Sequence, residues 1–138
     1  MKLINYRKKK CFSIIMVLLL TISAVRAYQV VSITIYKGQS GSDSINIVHK
    51  NGDMKTFGFN DTTSERPLWA EVYQDVFGPD KRIDYLSKLM PPGTGDKEHF
   101  VPLRVDRAPA GQYYMHLDPD GTLEKGCYGA GKLVDYGD

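Results

Sequence analysis

The sequence predicts a single small α+β domain with a mostly antiparallel sheet, carried behind an export signal. Three observations predict it. Apolar and polar residues alternate at period two at both ends of the region after residue 27. Between Asp61 and Pro92 the apolar spacing turns helical, with a cap at each start and a Gly or Pro stop at each end. Turn sequences, chiefly Asn51-Gly52, separate the alternating runs. The order of strands, two helices and strands implies one domain, with the helices covering one sheet face.

Residues 1–27 have the three parts of a secretory signal. Lys2, Arg7, Lys8, Lys9 and Lys10 form a basic start without acids, Phe12 to Val25 is an apolar run, and Val25-Arg26-Ala27 offers a cleavage site. A bilayer span takes about 20 apolar residues. This run is shorter and is broken by Ser13, Thr21 and Ser23, so cleavage is expected and an anchor is not. Only an uncleaved signal would tie the chain to a membrane. The expected location is the periplasm or the extracellular space.

Tyr28 to Tyr36 reads as a strand, with Val31, Ile33 and Ile35 on one face and Ser32 and Thr34 on the other. A Gly- and Ser-rich loop follows. Ile45, Ile47 and His49 alternate with polar and smaller residues up to Asn51-Gly52, whose positive φ angles suit a two-residue hairpin. Met54 to Phe59 would be the returning strand of an N-terminal hairpin. From Glu65 to Phe77, Leu68, Trp69, Val72, Val76 and Phe77 recur at helical spacing, and Gly78-Pro79 stops the run. Trp69 and Phe77 are the expected large core residues of this first helix. Asp80 then caps a shorter helix that presents Ile83, Leu86, Leu89 and Met90, ended by Pro91-Pro92-Gly93. Strands resume at His99 to Asp106, where Pro102 lacks an amide hydrogen and so predicts an edge position. Gln112 to Leu117 is the next strand. Asp118-Pro119-Asp120-Gly121 is a second hairpin turn, Thr122 to Lys125 pairs back, and Lys132 to Tyr136 adds a short last strand.

Charge and cysteine use narrow the function classes. Six of the 18 basic residues and none of the 16 acids lie in residues 1–27, so the mature chain carries 12 basic and 16 acidic residues, a net charge of −4. That balance, without clustered Lys and Arg, argues against a nucleic-acid partner. The two cysteines are Cys11, which leaves with the signal, and Cys127, which then has no partner for an intramolecular bridge. Cys127 is expected to be buried, to link two chains in a dimer, or to react. Coiled coil, collagen, multi-pass membrane protein and disulfide-stapled mini-protein are all excluded by length and composition.

Several motifs fail on their chemistry. Gly126 to Lys132 spells part of a phosphate loop, but Leu133 stands where a Ser or Thr is needed and too few residues follow for a helix. Asp118 and Asp120 fit a tight turn better than a calcium loop. The three histidines lack Cys or Glu at ligand spacing, so neither metal nor cofactor is expected. Were the protein a small hydrolase, Cys127 would be the nucleophile and His116 its base, since both lie in the C-terminal strand region. Asn60-Asp61-Thr62 is a glycosylation acceptor in an expected connection.

Aromatic content says more. Tyr113 and Tyr114 face opposite sides of one strand, and with Tyr128 and Tyr136 they form a candidate binding surface for a protein or a glycan. The stretch Ala110 to Leu117, with Asp120-Gly121 and Lys132-Leu133-Val134, resembles the C-terminal sorting domains of proteins exported across the outer membrane of Bacteroidetes. That resemblance implies a β-sandwich tail at the cell surface. It covers a short part of the chain, includes no cargo domain and assigns no family. The expected function is therefore that of an exported, non-catalytic binding domain of the cell envelope or extracellular space. An inhibitor or immunity-type protein, whose acidic surface masks a basic partner, is the alternative within that class.

Overall fold

The computed structural model describes residues 28–137. The expected export segment and cleavage site lie outside these residues. The domain is all-β, with ten strands in two antiparallel sheets. They are β1 (Gln29–Ile35), β2 (Ser42–Asp43), β3 (Ile47–His49), β4 (Asp53–Asn60), β5 (Leu68–Asp75), β6 (Lys81–Arg82), β7 (Lys88–Met90), β8 (Val101–Arg107), β9 (Gly111–Pro119) and β10 (Gly129–Asp135). The first sheet has the order β1-β10-β4-β8. In the second, β9 and β5 form the centre, with β2 and β3 on the free edge of β9 and β6 and β7 on that of β5. Inner residues of both sheets meet in one core, among them Val31, Met54 and Leu133 from the first and Leu68, Val72, Met115 and Leu117 from the second. A Cβ added at Gly131 on β10 would run into Met115 across that core, so the sheets approach closely there.

This architecture corrects the expectation of an α+β fold with two central helices. The only helix among the described residues is a 3-10 turn at Asp84–Leu86. The predicted first helix is β5: Leu68, Ala70 and Val72, at period two, are fully buried. Val76 and Phe77, which gave the helical period, lie beyond the strand and are exposed, and Trp69 is half-buried on the outer face. The predicted second helix is two short edge strands joined by the 3-10 turn. That turn gives Ile83 and Leu86 their helix-like spacing, and both side chains reach the core. Ser87 fixes the connection, accepting the amide hydrogen of Val72 at 3.0 Å and donating to the Ile83 carbonyl at 2.8 Å.

Neither predicted hairpin forms. Ile47 and His49 on β3 pair with β9, whereas β4 lies between β10 and β8 in the other sheet. Asn51-Gly52 is therefore a crossover between sheets, with Gly52 supplying the positive φ of 93°. The reason is burial: Ile47 and His49 enter the core from one side, and Met54 and Thr56 enter it from the other. At the second site β9 runs on through Pro119, and Thr122 to Lys125 forms no returning strand. The chain instead crosses over to β10, the last strand expected at Lys132 to Tyr136, which begins earlier, at Gly129, and lies in the interior of its sheet. Pro102 lies on β8, which pairs only with β4 and is the edge of its sheet. His49 and Asp135, both buried, tie the two sheets together at 3.0 Å, and the other ring nitrogen of His49 lies 3.0 Å from the Ala108 carbonyl oxygen.

Candidate functional site

Because β5 and β9 are both interior strands with apolar inner faces, their outer residues are free to carry other chemistry. The antiparallel register sets them in rows: Trp69 opposite Asp118, Glu71 opposite His116, Tyr73 opposite Tyr114, and Asp75 opposite Gln112. Neighbouring strands complete the surface, with Asp43 opposite His116 and Arg82 opposite Tyr73.

Glu71 is the anchor of this face. Its carboxylate is buried although it points outward, because its neighbours cover it. Tyr73 donates its hydroxyl to Glu71 Oε2 at 2.9 Å, and Arg82 Nη1 lies 3.3 Å from Oε1. The same guanidinium reaches Asp84 at 3.3 Å and covers the Trp69 ring at 4.7 Å. Trp69 Nε1 donates to Asp120 at 3.2 Å, and the Tyr114 hydroxyl donates to Asp80 at 2.7 Å. The rings of Tyr73 and Tyr114 stack, 5.5 Å apart. His116 Nδ1 is held by the Asp43 carboxylate.

The electrostatics follow from this crowding. Burial and the Glu71 carboxylate push Asp118 above the ordinary carboxylate range. Burial, with the hydrogen bond to Glu71, pushes Tyr73 up to about 12. Tyr114 moves the same way, through burial and then its bond to Asp80. One ligand atom from each of Glu71, His116 and Asp118 lies within 4.8 Å of the other two.

The residues expected to form a site are scattered. Tyr113 is wholly buried, on the inner face of β9, with its hydroxyl donated to the Pro109 carbonyl at 2.6 Å. Tyr114 is on the outer face just described. Tyr128 packs between Tyr36 and Phe59, and Tyr136 lies on the outer face of the first sheet against Tyr28. The four tyrosines make no common surface. Cys127 is buried in the core and bonded to the Arg66 carbonyl at 3.3 Å, so an interchain bridge has no access to it in the folded domain. Burial pushes its thiol up, away from the reactive thiolate. His116 stands on the outer sheet face with Asp43, and no hydrogen bond joins it to Cys127. Asn60 is also buried, its amide hydrogens given to the carbonyls of Arg66 at 3.1 Å and Met90 at 2.9 Å, so the folded domain does not present it for glycosylation.

Sequence reasoning missed Trp69, Glu71, Tyr73, Arg82 and Asp118 as site residues. The signal was there in the alternation of Leu68 to Asp75, once that segment is read as a strand. The first sheet has a different outer face: a groove of about 370 Å³ lined by Tyr28, Val30, Phe57, Phe100, Tyr136 and Lys132. No family model and no curated protein matches the chain.

Proposed function

We propose that the protein is an exported binding domain whose recognition surface is the outer face of β5 and β9, fitted to a basic segment of a partner protein. The observation that carries the reading is the rim of Asp43, Asp75, Asp80, Asp84 and Asp120, all exposed, around the half-buried centre of Trp69, Tyr73, Tyr114 and His116. Carboxylates at the rim steer and select a cationic partner, while aromatic side chains supply contact area. An inhibitor or immunity-type role, masking a basic surface, is the same geometry put to a particular use.

A glycan is the less supported ligand. Sugars pack on open ring faces, and here the Trp69 ring is covered by Arg82 while Tyr73 and Tyr114 stack on one another. Amide chemical-shift mapping separates the two ligands. Titration with a lysine-rich peptide is expected to move Trp69, Glu71, Tyr114 and His116, with affinity falling about tenfold from low to high salt. Shifts produced by neutral oligosaccharides alone, or shifts confined to the Tyr28–Phe100 groove, refute the proposal.

A further inference from the structure

We infer that Glu71, His116 and Asp118 form a binding site for one divalent metal ion of the zinc type. The inference stands independently of the partner reading above. The three donors come from two strands locked in register: Glu71 is the direct cross-strand partner of His116, and Asp118 follows His116 by two residues, on the same face. Their ligand atoms already lie within 4.8 Å of one another. Metal–ligand bonds of about 2.1 Å in a tetrahedron place donors about 3.4 Å apart, a distance that small side-chain rotations reach.

The imidazole sets this group apart from a patch of surface acids. Asp43, from a third strand, engages His116 Nδ1. A proton donated there leaves Nε2 with its lone pair, which is the arrangement that orients and strengthens a metal-ligating histidine. Tyr73 holds the Glu71 carboxylate in the same way. One imidazole and two carboxylates suit zinc with an open fourth position; calcium and magnesium favour all-oxygen sets. The metal's double charge offsets the Glu71 and Asp118 carboxylates together. Arg82 does not block it, since each carboxylate oxygen has a second lone pair and the guanidinium keeps Asp84 when it withdraws from Glu71.

Equilibrium dialysis of untagged, chelator-treated protein against zinc chloride, paired with thermal unfolding, tests the site. One zinc per chain and a rise in Tm are expected. His116→Gln and Asp118→Asn should each lose affinity by about 100-fold or more, and Asp43→Asn, which only positions the ring, by about 10-fold to 100-fold. His99→Gln, on an exposed loop, should bind as the wild type does. Loss of folding is told apart from loss of the site by the unfolding midpoint of each variant without metal, which should match that of the wild type. The site is refuted by wild-type protein that takes up no zinc. It is equally refuted by undiminished uptake in His116→Gln or Asp118→Asn.

Discussion

On the outer face of β10 and β4 a lysine ammonium stands over an aromatic ring, Lys132 above Phe100 at 4.1 Å, and further aromatic rings line the groove around it. On the outer face of β5 and β9 a guanidinium does the same, Arg82 above Trp69 at 4.7 Å, but it is also ion-paired to a buried carboxylate. The two faces rest on one core of similar apolar residues. What differs is the set of side chains at the alternate positions that the core does not dictate. The first face uses its cations to cover rings, and no buried charge depends on them. On the second face Glu71 and Asp118 crowd each other, so a cation is part of its structure. Function is therefore easier to place on the second face, where the fold has kept a buried charge that packing alone does not require.

The largest expected effect removes the comparison altogether. Leu117 on β9 and Leu133 on β10 are fully buried on the inner faces of the two central strands. Leu117→Ala or Leu133→Ala should each cost about 3 kcal/mol in chemical denaturation. Either variant should loosen both outer faces together, seen as loss of amide protection on β5 and β4 alike. Protection lost on one sheet alone would mean that the sheets are stabilised separately.

A smaller pair of substitutions sharpens the contrast between the faces. Arg82→Ala leaves the Glu71 carboxylate buried with only the Tyr73 hydroxyl and uncovers Trp69, at a cost of about 1–2 kcal/mol given the partial exposure of the guanidinium. Lys132→Ala loses a ring contact and strands no charge, at about 0.5–1 kcal/mol. The double variant Arg82→Ala with Glu71→Gln should recover part of the first loss. Equal costs for the two single variants would remove the distinction drawn between the faces.

The sequence made the outer strands legible and hid the middle ones, for reasons that particular residues show. Val31, Ile33 and Ile35 alternate with polar residues and are long enough to define β1 and its inner face. In Leu68 to Asp75, positions 68 and 72 satisfy both periods, and the deciding residue is Ala70, too weakly apolar to decide it locally. Phe77 then drew the reading towards a helix, though it is a solvent-exposed residue beside a turn glycine. Asn51-Gly52 announced a positive φ, correctly, but a dipeptide cannot say whether the next strand pairs with its neighbour or crosses to another sheet. That depends on β9 and β10, more than 50 residues away in the chain. A second crossover, from β9 to β10, explains the Cys127–His116 pairing that did not form. Closeness in sequence put them together, whereas the chain leaves His116 facing outward on one sheet and turns Cys127 into the core. The opposite faces of Tyr113 and Tyr114 were legible in the alternation of β9. The outward residues of β5 were not, because a helix would have spread Trp69, Glu71 and Tyr73 around its circumference.

The smallest effect concerns alkaline stability, and it belongs to the carboxylate face. Tyr73 is pushed up to about 12 from an ordinary 10.0, by burial first and then by its bond to Glu71, and Tyr114 moves in the same direction. Below pH 10 both hydroxyls are protonated in the folded and unfolded chains, so they contribute no pH dependence. Between about 10 and 12 the unfolded chain gives up these protons while the folded one keeps them. The unfolded state then binds fewer protons, and stability falls as pH rises through that window. Denaturant midpoints in chelator-treated protein should therefore be level up to about pH 10 with respect to these two groups and decline above it. Tyr73→Phe and Tyr114→Phe should each flatten the decline, since phenylalanine has no proton to lose. A decline of unchanged slope in both variants would show that the alkaline loss arises elsewhere, and that the carboxylates do not hold these hydroxyls protonated.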